Sequence, residues 1–131
     1  MKAAYPIVMT KDEDWVVVYV PDFDIGTQGK DYADAMYMAR DAIGLMGITM
    51  EDDGEAIPEA SDLEKVTAAH AGEGVVTLVD VDFTEYRKAN DMRTVRRNVS
   101  LPNWLNVKAE QSGINVSAVL QKALKAELGI V

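Results

Sequence analysis

The chain of 131 residues contains no cysteine and a single histidine, His70. The absence of cysteine excludes disulfides and thiolate metal ligands, and one imidazole alone cannot build a usual zinc site. The longest strongly apolar stretch, Trp15–Val20, is much shorter than a membrane span, and residues 1–6 lack the apolar region and cleavage site of a signal peptide. We therefore expect a cytoplasmic protein without membrane contact, metal or cofactor.

Acidic residues are almost missing from the end of the chain. Residues 93–131 hold six of the thirteen Lys and Arg residues but only two acids, Glu110 and Glu127, so their net charge is +4. Residues 1–92 hold seven basic and twenty acidic residues, a net charge of −13, which leaves −9 for the whole chain. Because binding follows the local charge of the contacting surface, the negative total does not exclude nucleic-acid binding by the basic segment. We predict two domains, 1–92 and 93–131.

The acidic segment alternates between β-rich and helical patterns. Its β-rich stretches predict a hairpin, a loop able to hold a short third strand, and a last strand; they are residues 3–10, 15–20, 22–29 and 73–83. A long amphipathic helix is predicted from the cap Asp31 to Met50. A short helix is predicted from the cap Ser61 to about Ala69, and a short helix and linker from Thr84 to Asn90. The order ββ(β)αβ indicates a small α+β layer domain with the long helix on one face.

Two glycines, Gly44 and Gly47, lie inside the long predicted helix. Each weakens a helix by about 1 kcal/mol relative to alanine, because glycine loses the most backbone freedom on folding. We therefore expect packing against the rest of the domain to hold the second half of this helix.

The basic segment predicts one strand followed by two helices. Residues 95–101 alternate as a strand, and Pro102 is expected at the first position of the next helix. That helix ends at Gly113, and Asn115 caps the second helix. The strand has no second strand near it in sequence, so it needs one from another chain.

The apolar stripe of the last helix is too large for 39 residues to bury alone. We predict an intertwined homodimer in which the helices pack across a two-fold axis and the two strands pair antiparallel. The predicted dimer core consists of Val99, Leu101, Val116, Leu120 and Leu124. Two paired strands form a ribbon that fits the DNA major groove.

The polar face of that ribbon predicts the DNA contacts. The candidate base-contacting residues are Arg96, Asn98 and Ser100. Arginine and asparagine read guanine and adenine edges, and a helix N-terminus offers free N–H groups to a phosphate. The candidate phosphate-contacting residues are Asn115, Val116, Ser117 and Arg97. The alternative for the polar face is a solvated edge strand, whose charges prevent aggregation.

Residues 94–128 resemble the ribbon-helix-helix repressors. The features that carry the resemblance are the alternating strand, Leu101-Pro102, the helix-ending Gly113 and the cap Asn115-x-Ser117. The departure is Arg97, where the family usually has an apolar residue; it lies at the fraying end of the ribbon or reaches a phosphate. The resemblance implies a βαα module that dimerises and binds operator DNA.

With that module placed, the front of the chain resembles the HicB-type antitoxins of type II HicA/HicB toxin–antitoxin systems. The segments that carry the resemblance are residues 15–23, 26–29, 31–36 and 57–61. The resemblance implies a truncated ribonuclease-H-like fold without catalysis, which binds and blocks HicA, a small basic toxin that cleaves RNA with a histidine. It also implies repression of the shared operon by the second domain. A charge of −13 independently favours a basic protein partner. The sequence leaves a tetramer or a larger assembly as an alternative to the dimer.

Two other functions remain as alternatives. One is a stand-alone ribbon-helix-helix regulator whose first domain has a sensing or oligomerisation role. The other is a metal-dependent nuclease, with carboxylates that flank strands as ligands: Asp22, Asp24, Asp80 and Asp82. Such aspartates more commonly form turns, and the sequence offers no basic clamp for a phosphate near them. We therefore predict no catalytic residue and no enzyme activity.

Overall fold

Residues 1–91 and 93–130 are described by a computed structural model, and the chain divides into two units, Met1–Met92 and Arg93–Val131. The elements of the first unit are β1 (Lys2–Asp12), β2 (Trp15–Val20), β3 (Ile25–Gly29), α1 (Tyr32–Asp52), α2 (Leu63–Ala69), β4 (Val75–Asp82) and α3 (Phe83–Ala89). Those of the second unit are α4 (Asn103–Ser112) and α5 (Val116–Glu127). No helix within the described ranges is both long and apolar enough to cross a membrane.

The four strands form one antiparallel sheet in the order β3-β2-β1-β4. The predicted hairpin and the short third strand are both confirmed, and the chain is a mixed α+β protein. Along β2 exposed and buried residues alternate, with Val16, Val18 and Val20 buried. The apolar sequence of β2 is compatible with burial on both faces or on one face only, and the structure has the second: only one of its faces is covered.

Helix α1 covers that face of the sheet. It begins at the predicted cap, since the Asp31 side chain accepts a hydrogen bond from the Asp34 N–H at 2.7 Å, and it runs two residues beyond the predicted Met50. The buried side chains that meet beneath it come from β1, β2, β4, α1 itself and α3. They are Tyr5, Ile7, Met9, Val16, Val18, Val20, Ala35, Ala39, Ile43, Val79, Val81 and Phe83.

The second half of α1 packs against α3 through its two glycines. A Cβ atom on Gly44 would lie 2.4 Å from Cδ2 of Tyr86, and one on Gly47 would lie 2.2 Å from Cε1 of Phe83. Each glycine thus leaves room for an aromatic ring of α3. Packing by α3 is what holds this half of the helix.

The cap of α2 differs from the prediction. Asp62, not Ser61, caps the helix, and its carboxylate accepts from the Glu64 N–H at 2.9 Å. Ser61 instead donates its N–H, at 2.9 Å, and its hydroxyl to the carboxylate of Asp22. This pair ties the segment before α2 to the turn that follows β2.

Helix α2 lies against the other face of the sheet and covers only the β1 and β4 side of it. The buried residue of this helix is Val66. On β1, Pro6 and Val8 are also buried but lie outside the core beneath α1, because side chains alternate along the strand and these two point to the α2 face. The Thr10 hydroxyl donates to the Glu73 carbonyl in the loop after α2, at 2.8 Å. On this face, β2 stays open to solvent.

The second unit consists of two helices and an extended segment. Pro102 is the residue before α4, not its first residue, and Gly113 ends α4 in the left-handed conformation at φ 65°. The Asn115 side chain caps α5 by accepting from the Ala118 N–H at 3.1 Å, as predicted. Residues 93–101 form neither helix nor strand in the single chain, so the strand predicted there still requires a second copy.

Candidate nucleic-acid interface

The extended segment before α4 separates apolar from polar side chains. Val99 and Leu101 line an apolar hollow against α4 and α5. Arg96, Asn98 and Ser100, at the alternate positions, are exposed and do not line it. The three candidate base-contacting residues thus lie along one exposed side of the segment.

The two candidate arginines of this segment are free to meet an anion. Arg96 and Arg97 are exposed, and neither makes an ion pair with any residue that the structure describes. On α4, Nζ of Lys108 lies 5.7 Å from the ring centroid of Trp104, within the limit of about 6 Å for a cation–π contact. The charges of Arg96 and Arg97 are therefore not compensated by a carboxylate of the described residues.

The start of α5 leaves backbone donors available. The Asn115 carboxamide takes up the N–H of Ala118, which leaves the N–H groups of Val116 and Ser117 without an acceptor inside the helix. The first turn contains no acidic residue. A helix N-terminus of this kind favours an anion such as a phosphate, in agreement with the candidate phosphate contacts.

Apolar side chains of the second unit line a hollow of about 330 Å³. Its lining residues are Val99, Leu101, Leu105, Ala109, Ile114, Val116, Val119, Leu120 and Ala123. Four of the five predicted dimer-core residues are among them; Leu124 is not, and it is 48% exposed. None of residues 93–130 is buried, so the unit has an apolar surface but no core as a single chain.

Ile114 also lines this hollow, although it is not among the residues predicted from the sequence. Ile114 directly precedes the cap Asn115, and Val119 is the fourth residue of α5. An apolar residue before a cap commonly packs against the fourth helical residue, an arrangement called a hydrophobic staple. Both residues line the hollow, and that spacing could have identified Ile114.

In the first unit, the carboxylates of the nuclease alternative have other partners. Asp22 accepts from the N–H and the hydroxyl of Ser61, and Asp24 accepts from the Tyr19 hydroxyl at 2.8 Å. The hydrogen bond to Asp24 raises the pKa of the Tyr19 phenol above its ordinary value. Both carboxylates therefore hold the segment that follows β2.

The remaining two carboxylates lie on β4. Asp80 accepts from Nη2 of Arg40 at 2.9 Å, and this hydrogen bond lowers the pKa of the carboxyl below its ordinary value. Asp82 caps α3 and lies 3.8 Å from the N-terminal amine of Met1. Within the described parts of the chain, no group of three or more His, Cys, Asp or Glu side chains could hold a metal ion. These four aspartates support the fold.

Comparison with protein families matches residues 5–123 to the model of the HicB-like antitoxin of bacterial toxin–antitoxin systems. An uncharacterized 14.9 kDa protein from the rep–hol intergenic region of Haemophilus phage HP1 is 34% identical over 82 residues. That match covers 61% of this chain and 62% of the phage protein, so the chain spans about three fifths of this curated relative.

Solved structures share the fold. The antitoxin HicB of Burkholderia pseudomallei is 27% identical, with a TM-score of 0.56 and 97% of each chain covered. A toxin–antitoxin complex from Streptococcus pneumoniae contains a chain that is 20% identical, with a TM-score of 0.57, covering 97% of this chain and 99% of that one. A chain of the HicA3 and HicB3 toxin–antitoxin complex is 24% identical, with a TM-score of 0.53, covering 60% of this chain and 98% of that one.

Proposed function

Because the chain belongs to the HicB-like antitoxins of bacterial toxin–antitoxin systems, we propose that it neutralises a small, basic, RNA-cleaving toxin of the HicA type and represses its own operon. The observation that carries this proposal is the division of charge, −13 in residues 1–92 and +4 in residues 93–131. A strongly acidic unit attracts a basic protein and repels nucleic acid, whereas a basic unit in which Arg96 and Arg97 are exposed and unpaired attracts DNA. The two activities are therefore assigned to different units.

Neutralisation belongs to the first unit. We infer that its four-stranded sheet and α1 form a truncated ribonuclease-H-like layer that binds and blocks the toxin without catalysis. Part of its positive charge is already neutralised, since Arg40 pairs with Asp80, Arg87 with Glu51 and Asp52, and Lys88 with Glu85. Two of the structural neighbours are chains of toxin–antitoxin complexes, which supports a protein toxin as the partner.

Operator binding belongs to the second unit. We propose a ribbon-helix-helix dimer in which residues 95–101 of two chains pair and the two apolar hollows close on each other. The support is the hollow itself, which has apolar walls and no covering residue, together with the exposed polar side of the same segment. Arg96, Asn98 and Ser100 of both chains then enter the major groove. Tetramers or larger complexes with the toxin are compatible with this arrangement.

The experiment is a gel-shift titration on DNA from upstream of this gene, at two salt concentrations, with the wild type and the variant Arg96→Ala/Asn98→Ala. Each base contact contributes about 1–3 kcal/mol of discrimination, so we expect at least a 100-fold loss of specific affinity. The matched control is Gln121→Ala/Lys125→Ala, which removes one amide and one cation from the same unit but from α5. An operator affinity of the ribbon variant within a few-fold of the wild type would refute the assignment.

A further inference from the structure

Three large side chains on β2 are left uncovered by the fold of the first unit. Trp15, Val17 and Tyr19 alternate with the buried valines of β2, and they are 43%, 38% and 37% exposed. They therefore form one row on the sheet face opposite α1. We call these three residues the β2 stripe.

Neighbouring strands do not cover the β2 stripe. On β3, the residues opposite Val17 and Tyr19 are Gln28 and Gly26, of which the glycine has no side chain. On β1, Thr10 lies opposite Val17. Helix α2 packs on the β1 and β4 side and reaches the stripe only at its end, where the ring of His70 lies 6.0 Å from that of Tyr19.

Carboxylates surround the β2 stripe. Asp12 is the partner of Trp15 across the hairpin, and Asp24 accepts from the hydroxyl of Tyr19. The nearest lysine of the hairpin, Lys11, points to the other face, with Nζ 5.5 Å from the ring centroid of Tyr32. The stripe is thus an apolar row of one tryptophan, one valine and one tyrosine with a carboxylate at each end. At the Trp15 end, Lys11 and Lys30 line a hollow with Trp15, together with the carboxylates of Glu13, Asp14 and Asp31.

We propose that the β2 stripe is the surface on which the basic toxin docks, an inference that rests on the proposed antitoxin function. Tryptophan and tyrosine dominate the binding energy of protein interfaces when they are half-exposed in the free protein and desolvated in the complex. The acidic surroundings favour a basic protein and disfavour RNA. A second copy of this chain is also disfavoured there, because each first unit carries a charge of −13.

The test measures binding of the full chain to the purified product of the small basic reading frame adjacent to this gene, with its catalytic histidine replaced by alanine. Titration calorimetry compares the wild type with Trp15→Ala/Tyr19→Ala and with Val17→Lys. Truncating an interface tryptophan or tyrosine commonly costs about 2 kcal/mol or more, so we expect the double variant to raise Kd at least 30-fold. Val17→Lys adds a positive charge to the stripe and should weaken binding to a similar degree.

The matched control is Tyr37→Ala/Leu45→Ala, which removes one aromatic and one aliphatic side chain from the exposed side of α1, where they are 64% and 56% exposed. Its Kd should stay within about three-fold of the wild type. Tyr19→Phe keeps the ring and should bind nearly as the wild type does. Operator binding and thermal unfolding of every variant distinguish a lost surface from a lost fold.

Two failures have different signatures. If the wild-type chain does not bind the toxin, the antitoxin assignment falls and the docking surface falls with it. If the wild type binds, and folded stripe variants bind equally well, the docking surface is wrong and the antitoxin function stands. Stripe variants that change the oligomeric mass of the chain while keeping the toxin Kd would show that a second copy occupies this face, which also overturns the proposal.

Discussion

Gly47 is the position where a single added methyl group should distinguish local helix preference from packing. In an isolated helix, Gly47→Ala would stabilise by about 1 kcal/mol. In this fold the new Cβ would lie 2.2 Å from Cε1 of Phe83, whereas carbon atoms pack best at about 3.5–4.0 Å, so the ring must move by more than 1 Å. Phe83 is only 3% exposed, and its ring contacts that of Tyr5 with centroids 6.3 Å apart.

The ring of Phe83 therefore cannot move without disturbing the core. Overpacking of a core costs about 1–3 kcal/mol. Because the contact is short and the ring is buried, we expect a cost near the upper value. After the helix gain is subtracted, we expect a net loss of about 2 kcal/mol in the free energy of unfolding. For a unit of this size, that corresponds to a Tm lower by about 8–16 °C.

The assay is urea and thermal unfolding followed by fluorescence. The chain has two tryptophans, so a Trp104→Phe background leaves Trp15 of β2 as the reporter of the first unit. Thr49→Ala is the control, because Thr49 is exposed on the same helix and should lose nothing in packing. A Gly47→Ala variant as stable as its background, or more stable, would refute the packing argument. Partial compensation by Phe83→Leu would locate the clash at that ring.

Three further changes test other contacts. Leu120→Asp places a carboxylate in the apolar hollow and should leave the second unit monomeric; sedimentation that still shows a full dimer at micromolar concentration contradicts the shared core. Burial and the 3.0 Å hydrogen bond to Asp41 raise the pKa of Tyr86 from 10.0 to about 12, so its stabilising effect is complete below pH 10 and lost as the pH rises toward 12. Tyr86→Phe should therefore flatten the fall in stability over this pH range, and an unchanged fall would count against it. Asp22→Ala should cost about 1 kcal/mol and speed amide exchange at Ser61; unchanged exchange would show that the pair is not formed in solution.

Features that depend on neighbouring residues could be predicted from the sequence. The hairpin and the caps Asp31, Gly113 and Asn115 follow from local backbone chemistry, and the structure has all of them. The choice between Ser61 and Asp62 as a cap could not be predicted in this way. Both can cap a helix, and the decision depends on Asp22, which is 39 residues away in sequence and holds Ser61.

The alternation of residues at both candidate surfaces could be predicted from the sequence, but what covers each surface could not. Alternation along residues 95–101 is visible in the sequence, but the partner strand that we propose for it belongs to a second chain. The six residues of β2 are all aromatic or β-branched, so their composition could not show that Trp15, Val17 and Tyr19 remain uncovered. That depends on the sheet order and on how far α2 extends, which are properties of the whole unit.

No residue of the described range 93–130 is buried, and this has a consequence for how the two proposed activities depend on the amount of protein. Under the proposed function, if the core of this unit forms only when two chains meet, operator occupancy would rise with the square of the chain concentration. Toxin binding by the first unit, which has its own core, would rise in proportion to concentration. As the protein is diluted or degraded, repression is then lost before neutralisation. Transcription resumes while the toxin already present is still bound, so a falling supply of the protein restores itself before the cell is exposed to the toxin.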